Sequence, residues 1–212
     1  MLRNVNTSDD ERQALLDLDG SLADYDKIMR ARMETLRAPE EPPHVDRFVT
    51  LSEPPHIEAR RKLIQAQPGF WRGLPRIDRG FQVVEVMRRI GFGLHVLTKG
   101  PRSTSIAWSE KLDWCIDNIP DAMVTVTADK SAVYGRALLD DFPPYFTSWL
   151  LVRPRGLVVC VDQPWNADYR KGGPLEHPNV LRFDGSNLAE LEARLRRAYE
   201  RRGGDISWSY TK

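Results

Sequence analysis

The chain has 212 residues, with 31 Lys and Arg against 30 Asp and Glu, and 41% of it is hydrophobic. That length suits one domain, or one domain carrying an insertion, and the near-neutral charge excludes a general nucleic-acid binder that works by basic excess. No run of about 18 apolar residues offers a membrane span, the polar start MLRNVNTSDDERQ lacks the apolar core of a signal peptide, and Cys115 and Cys160 are too few for a disulfide framework or a zinc spacing, so a reducing, cytoplasmic setting is expected.

Gln13–Asp17 (QALLD) is a short apolar run closed by acids, and the Asp19-Gly20 pair breaks it, which favours a strand ending in a turn. Leu22 to about Leu36 reads as a helix. Ala38–His56 is proline-rich and should be irregular, Ile57–Ala66 is a short basic helix, and Pro68–Pro75 (PGFWRGLP) is a turn-rich stretch with adjacent aromatics. Asp78–Ile90 places Phe81, Val84, Val86, Met87 and Ile90 at helical spacing, and Gly91 stops it. Then come a strand at Leu94–Leu97, a helix at Ser105–Asn118 and strands at Met123–Val126 and Ala137–Leu139, the last running into Asp140-Asp141. A strand at Leu157–Val161 and a helix at Leu188–Arg201 complete the series. Short apolar strands alternating with helices predict an α/β fold with a parallel sheet covered on both faces. No internal repeat, heptad or obvious apolar stripe stands out.

Ligands of open parallel sheets gather at the carboxyl ends of the strands. Those ends carry Asp17, Asp19 and Gly20, then Thr98, Lys99 and Gly100, then Lys130, then Asp140 and Asp141. Crowded carboxylates repel one another, so a cation is their natural compensator, and all-oxygen ligands suit Mg²⁺. A hydroxyl, a lysine and backbone N–H groups at Lys99-Gly100 are what an incoming phosphate needs. One Asp could attack phosphorus, and a second could protonate the leaving oxygen and later activate water.

In that order, LLDLDGSLADYD (residues 15–26), HVLTKG, the Lys130 of TADKS and LLDD resemble motifs I to IV of the haloacid dehalogenase (HAD) superfamily of phosphohydrolases. DGSLADYD, PGFWRGLP, AWSEK (Ala107–Lys111), ADKS and LLDDFP together resemble the 5′(3′)-deoxyribonucleotidase family, over roughly Ala14 to Leu150. The resemblance implies a three-layer α/β/α, Rossmann-like core (residues 1–26 and 77–212) with a small helical cap at 27–76, between motifs I and II. It implies an Mg²⁺-dependent phosphomonoesterase that hydrolyses (deoxy)nucleoside monophosphates through an aspartyl phosphate. Asp17 matches the nucleophile and Asp19 the general acid/base, whose backbone carbonyl is a family metal ligand. Asp140 and Asp141 match the acidic pair that, with Asp17, holds the metal. Thr98 and Lys130 match the phosphate-binding pair, beside Lys99 and Gly100, and Arg102 falls where the family has a basic residue near the phosphate. Tyr25, Phe70 and Trp71 fall where the family places aromatics around the nucleobase. A homodimer is also implied, and no nucleic-acid or membrane partner is expected.

Two positions depart from the family pattern. Lys99 stands where a small polar residue is usual, and Phe142 where a basic one commonly follows the acidic pair. They motivate an alternative, the same chemistry on a sugar phosphate or a nucleic-acid 3′-phosphate; a non-catalytic nucleotide-binding protein is a further alternative. Phe70 and Trp71 could equally pack the core, and Lys99 could be an exposed lysine. Arg60-Arg61-Lys62 reads as a solvated helix face and the two cysteines as buried fillers. His44, His56, His95 and His177 are too scattered to ligate a metal. The segment 153–178, with Trp165, Asn166 and Tyr169, could line the site or simply fold as a surface loop.

Overall fold

The computed structural model describes residues 12–43, 53–102, 104–170 and 173–201, and among these the side chains of residues other than 168–170. His44 and the Tyr169 side chain lie outside that description. Six strands form one sheet: β1 (Gln13–Leu16), β2 (Gly93–Thr98), β3 (Met123–Val126), β4 (Ala137–Asp140), β5 (Leu157–Val161) and β6 (Val180–Phe183). Their order is β3-β2-β1-β4-β5-β6, and every pairing is parallel. The chain steps outward from β1 to β3, then returns to pair β4 against β1. The reversal therefore lies between β1 and β4, the position where such sheets open a crevice at their carboxyl edge.

Side chains alternate across each strand, and the alternation sorts the core into two bodies. Ala14, Leu16, Val96, Ala137, Leu139, Val159 and Val161 face the larger one. There they meet Val84 and Met87 of helix α3 (Asp78–Ile90), Trp114 of α4 (Ile106–Asn118) and Leu191 and Leu195 of α6 (Leu188–Glu200). Leu15, Leu97, Leu138, Val158 and Cys160 face the smaller one, filled by Phe146 and Trp149 of α5 (Pro143–Val152). Central strands buried on both faces read as continuous apolar runs, which is what LVVCV does. Cys115 and Cys160 are unpaired and buried, and burial pushes the Cys115 thiol up to about 11.

Between β1 and α3 the chain makes an excursion carrying α1 (Tyr25–Thr35) and α2 (Pro55–Gln65). Its two stems are tied together: Asp24 N–H donates to Pro75 O and Ile77 N–H to Leu22 O, each at 2.8 Å. Asp24 also caps α1, its carboxylate accepting from Lys27 N–H at 3.1 Å. The helix expected from Leu22 starts at Tyr25 because Leu22 and Ala23 both donate to Leu18 O, closing a turn first. α2 accepts Pro55 in its first turn, where no N–H is needed.

Apart from three short 3₁₀ helices, one α-helix and one strand among the described residues fall outside the sequence expectation. α5 opens on Pro143-Pro144 and is apolar nearly all round: Phe146, Trp149 and Leu150 are buried while Tyr145, Leu151 and Val152 are exposed. No one-sided periodicity betrays such a helix. β6 is a four-residue edge strand interrupted by Arg182. The structure also exposes an apolar stripe that the sequence hid, since Trp108, Leu112 and Ile116 recur every four residues on the outer face of α4. No helix among the described residues is long and apolar enough to cross a membrane.

Trp149 is fully buried under Gly156, yet its indole N–H has no acceptor among the described residues. Its contribution is therefore volume rather than hydrogen bonding. W149A should cost about 3–5 kcal/mol in urea unfolding, and W149F less than about 1.5 kcal/mol.

Candidate active site

Motif I leaves β1 at Leu16, and Asp17 N–H donates to Leu139 O at 2.8 Å, so Asp17 sits beside the end of β4, where Asp140 and Asp141 follow. The turn that comes next needs Gly20. Its φ is +85°, and a Cβ there would lie 2.5 Å from Asp141 Oδ2. The tight turn thus lets the Asp141 carboxylate approach the motif I backbone.

Asp17, Asp140 and Asp141 each offer a carboxylate oxygen to one cluster, all within 4.8 Å of one another. Asp140 and Asp141 are buried. Lys130, held by a short 3₁₀ turn after β3, bridges two of the three: its Nζ donates to Asp17 Oδ1 and to Asp140 Oδ2, each at 2.6 Å. Burial disfavours its charge, but Asp140 and Asp17 outweigh that and hold the ammonium above the usual lysine range. Tyr145 covers the same ammonium, with its ring centroid 5.3 Å away. Asp140 also accepts from Phe142 N–H at 2.9 Å. Asp141 accepts from Ser21 Oγ at 2.8 Å and Trp165 Nε1 at 2.7 Å. Burial raises the carboxyls of both Asp140 and Asp141, for Asp140 against the pull of Lys130 and for Asp141 with the neighbouring carboxylates adding to it. Such a trio of oxygen donors, two buried and Asp17 half-buried, suits a hard divalent cation.

The Asp19 side chain is not part of that cluster. It turns to Lys111, which the sequence reading quoted only as the last residue of AWSEK. Lys111 is 1% exposed; its Nζ donates to Asp19 Oδ2, to Lys99 O at 2.8 Å and to Thr98 Oγ1 at 3.3 Å. It also lies 4.6 Å from the Trp71 ring centroid. Loss of water raises the Asp19 carboxyl, against the lowering pull of Lys111. Asp19 Oδ1 is buried with no hydrogen-bond partner among the described residues. Spacing put Lys111 on the face of Ala107, Trp114 and Cys115, but a lysine there reads as a long side chain reaching for water until the helix is docked on the sheet edge.

Thr98 is buried at the end of β2, and Gly100 packs under Trp108, whose Nε1 donates to Pro101 O at 3.2 Å. Lys99 and Arg102 are exposed and make no side-chain hydrogen bond or ion pair among the described residues. The buried positive charge on this side of the site is Lys111, not Lys99. Phe142, in the position where a basic residue was expected, packs its ring edge-on to Tyr145 at 5.0 Å.

Tyr25, Phe70 and Trp71 do come together. Tyr25 stacks on Trp71 at 5.4 Å, and Phe70 meets both edge-on at 5.9 and 5.1 Å. Phe70 and Trp71 are 2% and 3% exposed and belong to the larger core body, so the packing role weighed for them is realised. Glu110, next to Lys111, pins their loop: it accepts from Gly69 N–H at 2.6 Å, Trp71 N–H at 3.0 Å and Arg72 N–H at 3.4 Å. One helical step of α4 thus grips both the aromatic loop and Asp19. E110A should cost about 2–3 kcal/mol and open residues 67–74 to limited proteolysis; an unchanged cleavage pattern would mean the three bonds do not hold the loop.

Among solved structures, a HAD family hydrolase from Deinococcus radiodurans R1, determined with bound phosphate and sodium, superposes with a TM-score of 0.49 and 13% identity. The superposition covers 90% of this chain and 95% of that one. No curated protein matches the sequence. A family model described as "5' nucleotidase, deoxy (Pyrimidine), cytosolic type C protein" matches residues 13–171. With the four motif positions gathered at one edge of an all-parallel sheet, the chain belongs to this nucleotidase family of HAD phosphohydrolases.

Proposed function

We propose that the chain is an Mg²⁺-dependent nucleotidase that hydrolyses (deoxy)nucleoside monophosphates through an aspartyl phosphate. The observation that supports it most is the pairing of Lys130 with Asp17 and Asp140, with Asp141 beside them at the adjoining strand ends. Asp17, Asp140, Asp141 and the Asp19 carbonyl would hold the metal. Bound there, Mg²⁺ supplies positive charge to the non-bridging phosphoryl oxygens.

The remaining roles belong to the chain's own side chains. Lys130 orients the Asp17 carboxylate, and with Thr98 and the backbone of Lys99-Gly100 it binds the phosphoryl group. An Asp17 oxygen forms a bond to phosphorus as the ester bond to the leaving oxygen breaks. Asp19 gives that oxygen its proton, so the nucleoside departs neutral. Asp19 then takes a proton from water as the water oxygen attacks phosphorus, and the acyl phosphate bond breaks to return Asp17 and inorganic phosphate. Lys111 holds the Asp19 carboxylate, its buried ammonium within reach of Thr98 Oγ1 as well. The segment 27–76 acts as a cap that excludes water and large leaving groups. Tyr25, Phe70 and Trp71 pack together at its base, with Arg102 near the phosphate entrance.

A second reading, a sugar phosphate or a nucleic-acid 3′-phosphate as substrate, is favoured by one observation: the three rings pack against each other and Phe70 and Trp71 are buried. Phosphate release from ribo- and deoxyribonucleoside monophosphates, sugar phosphates and 3′-phosphorylated oligonucleotides, with Mg²⁺ and with EDTA, separates the two. Release from nucleotides that EDTA stops is expected; preference for another ester would overturn the substrate. D17N should lower kcat more than about a thousandfold with the fold kept. K111M should lower kcat about 10–100-fold with KM little changed, and K111R should recover part of it. Wild-type turnover in D17N would remove the covalent route, and in K111M the role given to Lys111.

A further inference from the structure

The segment after β5 is the part of the chain that the motifs leave unexplained, and in the structure it closes on the carboxylate cluster. Asn166, fully buried, knots it: Nδ2 donates to Val161 O at 2.8 Å and to Asp141 O at 2.9 Å, while Oδ1 accepts from Gln163 N–H at 3.2 Å. Gln163 Nε2 donates to Gly20 O at 2.6 Å. Trp165 Nε1 donates to Asp141 Oδ2 at 2.7 Å. Three residues, Gln163, Trp165 and Asn166, therefore touch the motif I turn, a motif IV carboxylate and the motif IV backbone.

The Asp141 carboxylate stands apart from the other two. Asp17 and Asp140 share the Lys130 ammonium, but among the described residues no cationic side chain reaches Asp141. Two neutral donors hold it, Ser21 O–H on one oxygen and the Trp165 indole N–H on the other. An indole N–H donates and never accepts. It therefore selects the acceptor form of the carboxylate and fixes its plane, leaving the second lone pair of each oxygen for a cation. The ring is rigid and its segment is tied by Asn166, so the donor is in place before any ligand arrives. Partners of this kind, one bond behind a ligand, typically change metal affinity 10- to 100-fold when removed.

We propose that Trp165 is a positioning residue of the divalent-cation site, orienting Asp141 so that cation affinity depends on its N–H; this rests on the cation reading of the carboxylate cluster given above. Titration calorimetry with Mg²⁺ and with Mn²⁺, on the full chain without substrate, tests it. W165F should bind either ion about tenfold more weakly than wild type, with a cooperative thermal unfolding transition retained in EDTA. S21A, which removes the donor to the other oxygen, should weaken binding in the same direction. Should W165F fail to fold, β-(benzothiophen-3-yl)alanine at position 165 keeps the ring volume and removes only the N–H, and the same weakening is expected. An affinity equal to or tighter than wild type in a folded variant overturns the role of Trp165 while leaving the cation site intact. Wild-type protein that takes up neither ion overturns the cation reading itself, and the proposal with it.

Discussion

Three carboxylates with little water around them, at the ends of two neighbouring strands, are the constraint on which the rest of the molecule depends. Parallel pairing of β1 and β4 forces Asp17 beside Asp140 and Asp141. Desolvated anions this close destabilise each other, and the fold must supply charge or donors to each. Lys130 supplies charge to two of them. It is delivered by a short 3₁₀ turn beyond β3, two strands away, so the outer half of the sheet is needed to neutralise its centre. The third carboxylate is met by neutral donors from the Gly20 turn and from the segment after β5. The connections after β1, β3, β4 and β5 are therefore all spent on the same electrostatic problem.

The second buried ammonium has a different task. Lys111 faces away from the cluster, toward Asp19 and Thr98, under the face of Trp71. With Glu110 beside it, it makes α4 the beam that connects the aromatic loop to the reacting edge of the sheet. Opposite charges on adjacent residues of one helix point in directions about 100° apart, which is how two neighbours in sequence can hold two different parts of the site.

Much of this was legible before the structure. Apolar runs closed by acids located β1 and β4, and helix spacing with a glycine stop located α3, because both signals are local. The acids, Thr98 and Lys130 could be singled out since each lies at or just past a strand end, and strand ends converge in a parallel sheet. Lys111 escaped because a lysine inside a helix acquires meaning only from what docks against it, and Trp165, left open between lining the site and folding a surface loop, needed the same docking to decide. α5 escaped because its apolar residues lie on several faces, and β6 because four residues with an arginine among them carry too little pattern. Lys99 drew attention by its unusual place in the motif, yet it is exposed, and the neighbouring helix supplies the buried charge instead. Sequence departures mark where to look more reliably than what will be found.

The two bonds that join the stems of the excursion, Asp24 to Pro75 and Ile77 to Leu22, have a consequence beyond local geometry. They bring the start and finish of a segment of some fifty residues to adjacent points, so the sheet is built as though the segment were a side branch. Closing a longer branch costs only about 0.6 kcal/mol for each doubling of its length. Lineages could therefore lengthen, shorten or recompose the branch at small cost to the scaffold, and the carboxyl edge of the sheet would register the change through contacts such as the aromatic loop that Glu110 holds. In a molecule wired this way, the branch can drift while the strand ends stay fixed.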